Sequence, residues 1–203
     1  MAADPNRVIV TGENPFIRLS ETDGGEMTTS ASFWRIIFSP GGPGHVLYLK
    51  SELTDGAWRI YTDNVAMARW LQTSVQGMLN AELKDVSIPV FDASFSRSGD
   101  YRDAWTESLT SFDEEIALTW YNPGDPLLLH TDPKDDPARY LGLCTVLVPC
   151  AGAQLTVNGV HAKGQPWPAF CLPAAPAAGP VHSWRWSSCP CPASSWWPPS
   201  RPR

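Results

Sequence analysis

The chain has 203 residues, of which 43% are hydrophobic and 18% charged, with a formal net charge of −6 and a pI near 5.1. That length accommodates one domain, or one domain with a tail, and excludes a large multidomain enzyme. The acidity excludes a dedicated nucleic-acid binder, which needs a basic face to displace phosphate counterions.

Residues 1–30 are polar and rich in Gly and Thr, with short apolar pieces at Arg7–Val10 and Phe16–Leu19. They read as a poorly structured segment that adds at most an edge strand. The opening MAADPNRVIV has neither the charged start nor the apolar stretch of a signal peptide, and no apolar run is long enough to span a bilayer. No membrane contact and a cytoplasmic location are therefore expected.

Phe33–Phe38 (FWRIIF) reads as a strand that ends at Pro40-Gly41-Gly42-Pro43-Gly44, a run neither helix nor sheet interior tolerates. His45–Leu53 and Ala57–Thr62 follow as strands, joined through Asp55-Gly56, a pair suited to the positive φ angles of a tight hairpin. The period then lengthens. Met67, Leu71, Val75 and Met78 recur at spacings of three and four, so the sequence predicts one main helix over 63–83, with Asp63 as its cap and Gly77 weakening its last turn.

After Pro89 the period returns to two. Val90–Ser96 and Tyr101–Leu109 flank a hairpin-like junction at Arg97–Asp100. Glu115–Tyr121 places Ile116, Leu118 and Trp120 on one face and ends at Asn122-Pro123-Gly124. Leu127–His130, Tyr140–Val148, Gln154–Val157 and Val160–Lys163 complete the strand candidates, with a charged loop at Thr131–Pro137 and a tight turn at Asn158-Gly159. Strands joined by short turns pair antiparallel, and a doubly wound parallel sheet would need a helix after nearly every strand. The expected fold is α+β and mainly β: an antiparallel curved sheet or barrel over residues 31–168, with the helix packed on one opening or face.

Residues 169–203 break the pattern. Every acidic residue lies at or before Asp136, so residues 1–136 carry 10 basic and 21 acidic side chains while 137–203 carry five basic side chains and no acid. The last 35 residues hold eight prolines, four tryptophans and three cysteines, and hydrophobic periodicity is lost. A Pro-rich disordered tail explains the prolines but not the tryptophans. A metal or disulfide module would need better spacing than Cys189-Pro-Cys191 with Cys171 and His182 upstream. The third reading is GC-rich coding sequence translated out of frame, in which case further strands of the fold are missing from this chain. Cys144 and Cys150 lie in an apolar strand region and read as buried free thiols.

No phosphate-binding glycine loop and no nucleophile elbow is present, and Pro43 spoils the one glycine-rich run for cradling phosphate. The histidines, His45, His130, His161 and His182, do not pair at metal spacing, so neither metal nor cofactor is expected. What the strands do carry is single acids in otherwise apolar surroundings, where desolvation can raise a carboxyl into a proton-transfer range. These are Asp92, Glu107 and Glu52, with His130 as a proton partner. Trp34, Trp58, Trp105, Trp120 and Tyr48 are the aromatics that could line a pocket for a small, largely neutral organic ligand. The expectation is a small-molecule-binding barrel, and if catalytic, a cofactor-independent isomerase, lyase or hydrolase. The alternative is a non-catalytic interaction domain with a filled core. Nothing in the sequence fixes an oligomeric state.

Overall fold

The computed structural model describes residues 9–22, 25–133 and 142–166. Trp167 and the whole 169–203 segment, with Cys171, His182, Cys189 and Cys191, lie outside the described residues, as do most of the 131–137 loop and Tyr140.

Fourteen strands form two sheets among the described residues. The first strands are β1 (Ile9–Glu13), β2 (Phe16–Ser20), β3 (Met27–Phe38), β4 (Gly44–Ser51), β5 (Trp58–Thr62) and β6 (Val90–Asp92). They are followed by β7 (Ser94–Asp100), β8 (Ala104–Ser111), β9 (Glu114–Pro123), β10 (Leu127–Thr131), β11 (Gly142–Leu147), β12 (Cys150–Val157), β13 (Val160–His161) and β14 (Gln165–Pro166). The first sheet runs β10-β11-β1-β3-β4-β5-β6, with β2 beside the other half of β3 and β14 outside β2. The second runs β13-β12-β9-β8-β7. The molecule is thus mainly β, as its period-two pattern implies, but the two sheets do not close into one barrel.

The central strands of the first sheet are apolar on both faces because each face meets a different layer. Ala31, Phe33, Leu47, Leu49 and Tyr61 pack against Trp105, Leu109, Ile116, Leu118 and Leu155 of the second sheet. Their neighbours Trp34, Ile36, Val46, Tyr48 and Ile60 turn the other way, onto Met67, Ala68, Leu71 and Leu83 of the helical layer. Phe33, Leu47, Leu49, Tyr48 and Ile60 are wholly buried, and each such side chain contributes roughly 1.5–3 kcal/mol of transfer free energy. The sheets meet at a corner where β6 leads through Ala93 into β7. The Ala93 N–H still donates to the Thr62 carbonyl at 3.0 Å, so the chain changes sheets without leaving a polar group unpaired.

β1 and β2 are more ordered than the polarity of their sequence suggests. β1 lies inside the sheet between β11 and β3, and Val10, Ile17 and Leu19 are each 1% exposed. Two pairs are parallel, β5 with β6 and β1 with β11. The first follows from the helical segment, which is long enough to carry the chain back as a crossover.

That segment is not one regular helix. α1 (Val65–Leu71) passes into a π turn (Gln72–Gln76), then α2 (Gly77–Leu79) and a 3-10 turn (Ala81–Lys84). The widened turn buries two amides. Gln72 Nε2 donates to the Asp85 carbonyl at 2.8 Å, and Gln76 Nε2 donates to Ser32 Oγ at 3.0 Å. A Cβ on Gly77 would sit 3.0 Å from Lys84 Cγ, so glycine permits the chain to fold back there. The cap is Asn64 and not Asp63: Asn64 Oδ1 accepts from the Met67 N–H at 3.1 Å. Asp55 and Gly56 take the positive φ angles their turn needs, 59° and 68°. β4 stops at Ser51, where a capping box starts a short 3-10 turn, and β7 runs straight through Arg97 to Asp100.

Candidate functional site

A cluster of charged side chains joins the two sheets at one mouth of the sandwich. Across the first sheet, register sets Glu13 opposite Arg35 and Arg35 opposite His45. Directly opposed antiparallel residues share a face, and this face is that of Phe33 and Leu47, toward the second sheet. Across the second sheet, Arg97 is opposite Glu107, on the face of Trp105 and Leu109. The two rows meet. The Arg97 guanidinium donates through Nε to Glu107 Oε1, through Nη1 to the Tyr101 hydroxyl and through Nη2 to Glu13 Oε2. One arginine thereby ties both sheets together.

Glu107 is 3% exposed. Desolvation pushes its carboxyl above the ordinary range, and the Arg97 charge and hydrogen bond oppose that rise. Oε1 is engaged by Arg97, whereas no hydrogen bond to Oε2 forms among the described residues. His45 is close enough to act on the same carboxyl electrostatically.

His45 is held from three directions. Asp63 accepts from its backbone N–H at 2.6 Å and from its ring Nδ1 at 2.7 Å, and the ring stacks on Phe95 with centroids 5.2 Å apart. Its carbonyl accepts from Thr62 Oγ1 at 2.7 Å. An ionised carboxylate only accepts, so Nδ1 carries a hydrogen, and in the neutral form of the ring Nε2 presents its lone pair. No hydrogen bond to Nε2 forms among the described residues. The tandem Asp63-Asn64 explains the arrangement: Asn64 caps the helix, which releases Asp63 to reach back to β4. The glycine run permits the approach, since a Cβ on Gly44 would lie 2.7 Å from Asp63 Oδ1.

The mouth therefore holds a nearly buried carboxyl, whose Oε2 is the oxygen left to carry its proton, and an oriented imidazole whose Nε2 is uncommitted. Such a pair can take a proton from one atom of a bound molecule and return one to another.

Of the acids singled out in the sequence, only Glu107 is here. Asp92 is exposed at the end of β6, where its carbonyl accepts from Ser111 Oγ at 2.6 Å. Glu52 is exposed in the turn after β4, and Oε1 accepts from the Lys163 N–H at 3.1 Å. His130 is exposed on β10 with Asp132 3.2 Å away. The aromatics divide among three places. Trp105 and Trp120 stack at 5.2 Å inside the inter-sheet core, and Tyr101 leans on Trp105 from the mouth at 4.8 Å. Trp34 and Tyr48 fill the helical side, where the Tyr48 hydroxyl donates to the Ala68 carbonyl at 2.7 Å and the Trp34 indole N–H finds no acceptor among the described residues. Trp58 borders an open groove with Lys50, Ile88 and Pro89, and its Nε1 donates to Glu82 Oε2 at 2.6 Å.

His45, Asp63, Glu13, Arg35 and Arg97 are site residues that sequence reasoning missed. The signal within reach was the β3–β4 hairpin, whose register across Pro40–Gly44 puts Arg35 beside His45. No three of His, Cys, Asp and Glu gather at metal-binding distance among the described residues, and no described helix is long and apolar enough to cross a membrane. No family model, no curated protein and no solved structure matches this chain.

Proposed function

We propose that the protein binds a small organic molecule at the mouth between its two sheets and moves a proton on it. His45 is the base and Glu107 the partnering acid, in a reaction of isomerase, lyase or hydrolase type that needs only groups this chain supplies. The observation that carries the reading is the fixed imidazole: Asp63 grips both the backbone N–H and ring Nδ1 of His45, leaving Nε2 uncommitted within electrostatic range of the nearly buried Glu107 carboxyl. A histidine serving only as packing has no need of that double hold. Phe95 and Tyr101 offer the apolar wall on which such a ligand rests.

Fragment screening by amide chemical-shift mapping tests the site. Binders should perturb the amides of His45, Phe95, Arg97 and Glu107, and His45→Gln should weaken them by about tenfold, the value of one good charged hydrogen bond. Perturbations confined to the Trp58–Glu82 groove would sink the assignment.

One observation favours a second reading, that of a protein-interaction domain. β10 is the last strand of its sheet among the described residues, and Leu128 and Val146, opposite each other, are 70% and 46% exposed. On that reading Leu128→Lys abolishes self-association or partner capture and leaves fragment binding at the mouth untouched.

A further inference from the structure

The helical side of the molecule carries a concavity of its own. His45 stands near the start of β4, on the face toward the second sheet. Lys50 lies near the other end of the same strand, directly opposite Trp58 of β5 and on the face of Tyr48 and Ile60. Lys50, Trp58, Glu82, Asp85, Ser87 and Pro89 line an open groove of about 590 Å³, a volume that takes a small organic ligand.

Donors, acceptors and an aromatic ring meet there at short range. Glu82 Oε2 accepts from Lys50 Nζ at 2.8 Å and from the Trp58 indole N–H at 2.6 Å. The Lys50 hydrogen bond first, and then that of Trp58, hold the Glu82 carboxyl below the ordinary carboxylate range, so it is an acceptor at neutral pH. The indole also packs against the helix-side core, so the ring is a preset wall with its one N–H already spent. Lys50 uses one of its three N–H donors on Glu82, and no hydrogen bond to Glu82 Oε1 forms among the described residues. The exposed Asp85 carboxylate accepts from the Ser87 N–H at 2.9 Å and has further lone pairs.

That mixture selects a ligand. A purely apolar molecule would strip water from Lys50, Glu82 and Asp85 and return no hydrogen bond. An anion meets two carboxylates, and a cation meets the Lys50 ammonium. A hydroxyl both donates and accepts, so neighbouring hydroxyls of one ring can serve the ammonium and the carboxylate it touches. The C–H face of a sugar ring lies on an indole and asks for no hydrogen bond.

We propose that this groove binds a neutral saccharide. One pyranose ring rests against Trp58, its hydroxyls donating to Glu82 Oε1 and Asp85 and accepting from Lys50 Nζ. The site occupies the other face and the other end of β4 from the mouth, shares no residue with it and does not depend on it.

Maltotriose, cellotriose and chitotriose, titrated at neutral pH into the 15N-labelled full chain, test the proposal, with cyclohexanol as an apolar ring and glycerol as a ringless polyol. At least one trisaccharide should shift the Trp58 indole N–H and the amides of Lys50, Glu82 and Ser87, leaving those of His45 and Glu107 in place. Trp58→Ala should weaken that binding by at least about tenfold. Because Trp58 also packs on the core, the half-exposed Lys50 supplies a milder variant: Lys50→Ala should weaken binding by about fivefold, the worth of one hydrogen bond. Groove shifts from none of the trisaccharides, or equal ones from cyclohexanol or glycerol, overturn the proposal. So does saccharide binding left unchanged by both substitutions, or saccharide shifts found only at His45, Phe95 and Glu107.

Discussion

At the scale of single residues, the unusual groups are Glu107 and His45. Desolvation raises the Glu107 carboxyl in the folded state above its ordinary value of 4.5. Between the unfolded and folded values the native state holds a proton that the unfolded chain has lost, so the stability due to this group falls as pH rises through that window. Glu107→Gln imitates the protonated form and does not titrate. The stability of the native protein relative to this variant should therefore be greatest in acid and decline as pH climbs above the ordinary carboxylate range, measured as a difference in urea midpoints. A flat difference would mean that Arg97 cancels the desolvation. For His45, the expected outcome concerns the tautomer. Asp63→Asn leaves the cap in place because Asn64 supplies it, but one amide oxygen must now serve two donors. The imidazole nitrogens should report the Nδ1–H form in the native protein and a mixture containing the Nε2–H form in the variant, read by 15N chemical shifts. An unchanged tautomer would remove Asp63 as the residue that orients the base.

At the scale of elements, the Pro40–Gly44 connection and the entry into α1 are one device. Asn64 Nδ2 donates to the Pro43 carbonyl at 2.8 Å while Asp63 holds His45, so loop, strand and helix start are fixed together. Gly44→Ala should strike that device directly, because the new Cβ would lie 2.7 Å from Asp63 Oδ1 and 2.9 Å from Asn64 Cβ. The expected cost is about 1–3 kcal/mol with loss of the His45–Asp63 contact, whereas Gly56→Ala, which meets nothing within 4 Å, should cost only the strain of its positive φ. Comparable melting temperatures for the two variants would contradict the argument. The elements themselves were legible from period and punctuation: the double-faced β3 and β4, the Asp55-Gly56 turn, the β9 alternation and a single helical region. The site was legible only at Glu107, an acid among strand apolars. The rest depends on which of two adjacent polar residues caps a helix and on strands brought together from 13 to 107. No local pattern encodes either. The strands within residues 9–20 are hidden in the sequence for a related reason: Val10, Ile17 and Leu19 are deeply buried, and local hydrophobicity does not register the tertiary partner that buries them.

At the scale of the whole molecule, one question is where the cooperative unit stops. The inter-sheet core and the helix-side core draw their side chains from Val10 at one end to Ala162 at the other. The two cores share no side chain but are back to back through β3, β4 and β5, so loosening either face of those strands loosens the other, and the unit should melt as one. The final pairing along the chain within the described residues is Pro166 with Leu19. A chain ending at Pro166 retains every side chain that builds the two cores among the described residues, and every described residue of the mouth. It should unfold in a single transition, with a melting temperature within about 5 °C of the full chain, and show the same fragment-induced amide shifts at the mouth. That outcome places the change in composition after residue 168 outside the folding unit, as a tail or an out-of-frame extension would be. A chain that loses its cooperative transition on truncation would instead show that the Trp-rich segment completes one of the two layers, and that residues 13–107 do not hold the mouth together without it.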